Sequence, residues 1–362
     1  MAGVAGVAAV GLLSSGLLGG VAKAAPAHAR TVSHSYRYAM MPTRSYFVTH
    51  RAQFALPRKG AKNVKFGGGV DGVGVTTGAP KVYVVFWGSQ WGTESVSASG
   101  YDTFAGDPDG LAPDLEAFFA GLGSANDTWS GVVTEYCQRV ATGATTCPAS
   151  NTQHVGYPTG GALAGVWEDT SAKAPKKATG AQIAEEAIAG ATHFGNTTEA
   201  SQLNVQYFVV SPAGTHPNGF NTASGDFCAW HDYNADPGLP GGPVTSPDGN
   251  LAFTNMPYVE DAAAGCGENF VNTGTAGLND GVTIVGGHEY AETVTDQFPT
   301  GGWINKAGQE VADLCAWKSS GTGKARDITL STGTFAVQGI WANDAKSGAG
   351  GCETSHPIVR DP

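Results

Sequence analysis

The stretch "PKVYVVFWG", residues 80–88, decides how the rest of the chain is read. A strand with one wet face alternates apolar and polar side chains, whereas a strand covered on both faces reads as an unbroken apolar run. Val82 to Trp87 is such a run, rich in β-branched and aromatic residues. It predicts a buried strand well inside a sheet. "LNVQYFVVSP", residues 203–212, has the same character. Helical patterns lie between the two. In "APDLEAFFAGLG", residues 112–123, Leu115, Phe118, Phe119 and Leu122 fall on one stripe, and Gly123 can stop the helix. In "TGAQIAEEAIAGATHFG", residues 179–195, Thr179 can cap a helix whose Ile183, Ala187 and Ile188 face the core. Strands alternating with helices predict an α/β or α+β fold, a single large domain with a mixed sheet.

The remaining segments read less sharply. "WSGVVTEYC", residues 129–137, reads as a further strand, and "GTFAVQGIWAND", residues 333–344, as the last one. "GGWINKAGQEVADLCAW", residues 301–317, reads as a hairpin turning near Ala307 and Gly308. Residues 214–280 are rich in Gly, Pro, Asn and Asp, and read as disulfide-tied irregular structure with short strands that shapes a cleft.

Charge divides the chain unevenly. Residues 1–70 hold nine Lys and Arg and no Asp or Glu; the remainder has 20 − 9 = 11 basic against 31 acidic residues, a balance of −20. Phosphate recognition needs clustered Lys and Arg, so nucleic acid is not expected as a partner. The start has a weakly hydrophobic run followed by Ala22-Lys23-Ala24 and Ala27-His28-Ala29, both fitting a signal-peptidase site, although a basic n-region is missing. Residues 1–29 are therefore read as a secretory signal, 30–75 as a basic prosegment with a Gly-rich linker, and 76–362 as the mature globular domain. A basic leader on an acidic body suggests a prosegment docked on that body. No later stretch approaches the roughly 20 apolar residues of a membrane span, so no membrane association is expected after signal removal.

Six cysteines, Cys137, Cys147, Cys228, Cys266, Cys315 and Cys352, agree with export. Six allow 15 connectivities, and chain proximity favours Cys137–Cys147, Cys228–Cys266 and Cys315–Cys352. None forms a CxxC pair, which argues against a thiolate zinc site.

The chemistry concentrates in "TIVGGHEYAETVTD", residues 283–296. On a helix, at about 100° per residue, Glu292 lies about 40° from His288, Asp296 about 80° and Glu289 about 100°, so all four share one face. The pattern is that of a zincin-like helix, HExxH, with Glu in place of its second His. There, the i and i+4 residues hold zinc and the adjacent Glu activates water. Carboxylates ligate zinc, so His288 and Glu292 suit the metal and Glu289 the general base. A third ligand is expected from Asp296, Asp313 or His231. Oxygen-rich ligation would also admit calcium or manganese. The plain alternative is a solvated polar face, but Gly286-Gly287 before His288 weakens a helix and points to close backbone packing at a site. Trp87, Trp91, Trp303, Trp317 and Trp341 suit either a sugar-stacking surface or a core, and Glu289 with Glu310 or Asp313 can form a glycosidase pair.

The succession "PKVYVVFWG", "VQYFVVSP", "FCAWHDY", "GGHEYAETVTD", "GQEVADLC" and "GIWANDAKSGAGGC" resembles the Exordium/phosphate-induced protein family and related bacterial secreted proteins, from about Pro80 to Cys352. The resemblance implies a secreted, extracellular, disulfide-bonded protein with an N-terminal leader. It marks His231, His288, Glu289, Glu292, Asp296 and Asp313 as matching positions without assigning them a reaction. The long 214–280 segment and the very basic leader depart from the plant pattern. The expectation is a secreted zinc-dependent peptidase acting on protein or peptide. The alternatives are a non-catalytic extracellular protein binding cell-wall polysaccharide or a surface partner, and a carboxylate-based glycosidase.

Overall fold

The two apolar runs lie inside one six-stranded mixed sheet. The strands are β1 (Met40–Pro42), β2 (Lys81–Trp87), β3 (Leu163–Asp169), β4 (Val205–Val210), β5 (Phe227–Tyr233) and β6 (Ala252–Met256), in the spatial order β1-β5-β6-β4-β2-β3. β2 pairs in parallel with β3 and β4, and β4 with β6; β5 and β1 then add antiparallel on one side. Parallel neighbours need crossovers, and helices α1 (Leu111–Gly121) and α2 (Gly180–His193) supply two of them. Thr179 and Gln182 form a reciprocal capping box at the start of α2. Helix α3 (Asp280–Thr295) is buried along its whole length. The computed structural model describes residues 1–3, 39–54, 63–222 and 225–359, and those from 39 onward pack as one unit. Residues 4–29 of the signal reading and residues 30–38 and 55–62 of the leader lie outside the described residues.

Several sequence expectations need correction. Residues 129–137 contain no strand: Val132–Glu135 is a single 3-10 turn. Residues 214–280 are less irregular than their composition suggests, because they contribute β5 and β6 to the main sheet. Their strands are apolar enough to be buried throughout, and the Gly- and Pro-rich sequence lies in the connections. Residues 301–317 turn at Asn305–Gly308 as expected. Only Trp303–Ile304 is a strand there, and its partner is Lys65–Phe66 rather than the chain beyond the turn. Residues 333–344 form two strands, Gly333–Val337 and Ile340–Ala342, separated by Gln338-Gly339. The Gly-rich stretch read as a linker is packed into the body, with Val64, Phe66 and Val75 buried and Thr76 donating its N–H to the Val294 carbonyl.

The three disulfides pair as chain proximity suggests. Cys228–Cys266 clasps β5 to the segment Val259–Gly265, and Cys315–Cys352 clasps the turn Asp313–Cys315 to the strand Gly351–Glu353. Closing loops with sequence separations of 38 and 37 contributes about 4 kcal/mol each on chain-entropy grounds.

Gly286 and Gly287 have a packing reason, but not the one their position beside His288 suggests. A Cβ on Gly286 would lie 2.8 Å from Leu115 Cδ1, and one on Gly287 3.1 Å from the Trp129 ring and 3.3 Å from Phe118. The pair lets α3 approach α1 and Trp129. Gly286→Val should therefore lower the free energy of unfolding by about 1–3 kcal/mol through overpacking, with Gly286→Ala milder. Urea titration followed by tryptophan fluorescence measures this, and an unchanged midpoint for the valine variant would contradict the contact.

Candidate metal centre

Helix α3 carries His288, Glu289 and Glu292, and each is fully buried. β5 brings His231 to them, and the segment leading into the 3-10 turn Asp313–Cys315 brings Glu310 and Asp313. The donor atoms of His288, Glu292 and Asp313 lie within 4.8 Å of one another, as do those of His231, Glu289 and Glu292. The two groups share Glu292.

The tautomers follow from the surroundings. Gln338 donates its amide N–H groups to the carbonyls of Ala312, 2.8 Å, and Gly339, 3.1 Å, so its Oε1 is left to accept from His288 Nδ1 at 3.1 Å. His288 Nε2 is then a lone-pair atom, 3.0 Å from Glu292 Oε1 and 3.9 Å from Asp313 Oδ1, without hydrogen-bond geometry to either. His231 Nε2 donates to the Asp296 carbonyl at 3.2 Å and lies 3.5 Å from Glu310 Oε2. Its Nδ1 faces Glu289 Oε2 at 3.6 Å and Glu292 Oε2 at 3.8 Å. Burial holds the His231 imidazole down at about 3, and His288 adds to this; burial also lowers His288, against the pull of Asp313 and Gln338. Both rings are therefore neutral at ordinary pH and offer lone pairs to metal.

The carboxylates are anchored on one side and free on the other. Glu292 Oε1 accepts the Asp313 N–H at 2.9 Å, Asp313 Oδ2 accepts the Glu310 N–H at 3.1 Å, and Glu289 Oε1 accepts the Met41 N–H at 3.3 Å. Five buried atoms, His231 Nδ1, His288 Nε2, Glu289 Oε2, Glu292 Oε2 and Glu310 Oε2, have no hydrogen-bond partner. Burial pushes Glu289, Glu292, Glu310 and Asp313 well above the ordinary carboxylate range, and mutual repulsion adds to this for Glu289, Glu310 and Asp313. Among the described residues no Lys or Arg pairs with any of them. Lone-pair atoms converging without a cationic side chain fit a divalent ion, which imidazole and carboxylate groups both ligate.

Of the residues proposed from sequence, His231, His288, Glu289, Glu292 and Asp313 come together. Asp296 does not. It follows the helix as expected, but its carboxylate accepts the N–H groups of Thr300 and Gly302, so it caps the loop after α3 rather than facing the cluster. Burial lifts it to about 8 even so, against those two amides. Glu310 belongs to the cluster although sequence offered it only as a glycosidase partner; the three-residue spacing Glu310 to Asp313 was the available signal. Gln338, which sets the His288 tautomer, gave no signal. Trp87, Trp91, Trp303, Trp317 and Trp341 are all buried, which removes the sugar-stacking surface.

No family model, curated protein or solved structure matches the chain.

The buried charges make stability depend on pH in a defined direction. A carboxylate raised in the folded state keeps protons that the unfolded chain releases, so its stabilisation is present below its unfolded value and is lost as pH rises through the folded one. The depressed histidines act oppositely, but only below their ordinary value of 6.5. Above that they no longer oppose it, and His356, raised by Asp344 against its own burial, slopes the same way as the carboxylates. Chelator-treated protein should melt at progressively lower temperature from pH 6.5 to about 9, and added zinc should flatten the trend. Differential scanning fluorimetry tests it; a melting temperature that rises over this interval without metal would refute the assignment.

Proposed function

We propose that this chain is a secreted zinc-dependent peptidase made with an N-terminal prosegment. The observation that carries the reading is the convergence of His288 Nε2, Glu292 Oε1 and Asp313 Oδ1 beside a free oxygen of Glu289. In this reading His288, Glu292 and Asp313 hold the ion and leave a fourth position open. The nitrogen donor favours zinc over calcium, which prefers an all-oxygen shell. Bound zinc would polarise a peptide carbonyl and acidify a water molecule.

The side chains of the protein do the rest. Glu289 takes a proton from the attacking water as the new C–O bond forms at the carbonyl carbon. It then delivers that proton to the amide nitrogen as the C–N bond breaks. Its raised affinity for a proton, caused by burial and by Glu292, suits a group that must hold one between the two transfers. Gln338 keeps His288 in the ligating tautomer, and the Asp313 amide holds Glu292 in place. His231 Nδ1 faces Glu289 Oε2 at 3.6 Å without a hydrogen bond. Three disulfides support the extracellular setting, since such bonds persist in oxidising compartments.

Elemental analysis should find one zinc per chain. Glu289→Gln should keep the zinc while lowering kcat for casein by about 10²–10⁴-fold, assayed on chain cut between Phe54 and Asn63. His288→Ala should lose both zinc and turnover. Absence of stoichiometric zinc ends the peptidase reading. Two ions per chain, one of them lost on Glu289→Gln, would replace the single site by a pair bridged by Glu292.

A further inference from the structure

The segment Ala39–Pro42 lies against the metal centre in the way an added peptide strand would. It pairs antiparallel with β5, Met40 opposite Trp230 and Met41 opposite Ala229. The Ala39 carbonyl accepts the His231 N–H at 3.1 Å, and the Thr43 N–H donates to the Asp226 carbonyl at 3.0 Å. The Trp317 indole donates to the Pro42 carbonyl at 2.7 Å. Met40 and Met41 are buried. These contacts flank one more, the Met41 amide on Glu289 Oε1.

Two features separate this from an ordinary edge strand. First, β1 is the outermost strand, so without it β5 would present its main-chain groups at the sheet edge, beside His231 and the centre. Main-chain pairing of this kind accepts any extended chain, with selectivity left to side-chain pockets. Second, the carboxylate that the Met41 amide touches is the one that must pass a proton to a leaving amide nitrogen. The Met41 amide is on Oε1, the second oxygen of that same carboxylate, so an extended chain in this position brings a main-chain nitrogen within reach of Glu289. Charge plays little part: among the described residues no Lys or Arg forms an ion pair, and Arg44 instead donates to the Ala264 carbonyl and lies over Phe270.

The geometry points to the position along the edge of β5 and against Glu289 of α3, now filled by Ala39–Pro42, as the substrate cleft. Its ligand is an extended peptide with apolar side chains at two consecutive positions, and Ala39–Pro42 is a ligand of that class supplied by the chain itself, blocking the cleft until it leaves. This assignment rests on the peptidase reading for its chemistry, but binding can be measured without it.

The test uses full-length protein in excess chelator and a fluorescein-labelled peptide of sequence AMMPTRSYF, residues 39–47. One form carries Met40→Asp with Met41→Asp, which puts charges at two buried positions and frees the cleft. A second form keeps the natural segment but is cut at a site-specific protease sequence placed between Phe54 and Asn63, and serves if the first fails to fold by circular dichroism. Both should bind the peptide at least ten-fold more tightly than uncut wild type, and unlabelled peptide should displace the 1–54 fragment from the cut form on size exclusion. A peptide with Asp at both Met positions should bind at least ten-fold more weakly. Equal binding by uncut and freed forms, or indifference to the Asp peptide, overturns the cleft. Tight metal-free binding without zinc-dependent hydrolysis would sink the peptidase reading and leave the cleft standing; zinc-dependent hydrolysis that the 39–47 peptide does not inhibit would do the reverse.

Discussion

Four carboxylates and two imidazoles lie buried together, and no Lys or Arg side chain contributes to the cluster among the described residues. Moving unpaired carboxylates out of water costs several kcal/mol each even after relaxation, so the cluster exists in its folded form only with protons or cations to balance it. Helix α3 cannot escape the constraint by turning, because every residue on it is buried. Its other faces pack on α1 and Trp129 at glycine contact distance. The arrangement around the cluster follows from that fixed helix. Each anchored oxygen takes a backbone amide, each ring nitrogen not aimed inward takes a carbonyl or the Gln338 oxygen, and the inward atoms are left facing one another.

Holding such a cluster against its own repulsion requires a stiff frame from distant parts of the chain. His231 arrives on β5 three residues after Cys228, and Asp313 arrives two residues before Cys315. The two long-range disulfides therefore fasten the segments that deliver groups from outside α3. A residue fixed at both ends of a short span loses little further entropy when it takes a ligand position. This is the preorganisation a site of like charges needs.

The sequence shows what depends on local pattern and hides what depends on chain-distant partners. The runs at 82–87 and 205–210 are legible because burial on both faces leaves no polar residue among the β-branched and aromatic ones except Gln206. The α2 start is legible from Thr179, because a cap acts within four residues, here closing a capping box with Gln182. His288, Glu289 and Glu292 are legible because one helix turn brings them together. Asp296 satisfies the same angular rule and still fails, because the loop at Thr300 and Gly302 takes its oxygens first, and nothing in the helix pattern encodes that loop. β5 was obscured by turn-rich surroundings, and its inward polar residues His231 and Asp232 broke the apolar signal. Gln338 is a lone amide between two strands, meaningful only once Ala312 and Gly339 are known to hold it.

The leader strand answers a problem that the site itself creates. A peptide-accepting edge must expose a row of unpaired N–H and C=O groups, and such an edge invites pairing with other chains. In this molecule that edge lies beside His231, and on the proposed reading its opening serves substrate binding and is hazardous before it. Covering it with Ala39–Pro42 removes the free edge and buries two methionines. It also places an amide on Glu289, relieving one buried oxygen of the cluster. Charge attraction between a basic leader and an acidic body cannot specify that register. The ladder on β5 can, because a one-residue slip would exchange the faces that Met40 and Met41 occupy and break the pairing that seats the Met41 amide.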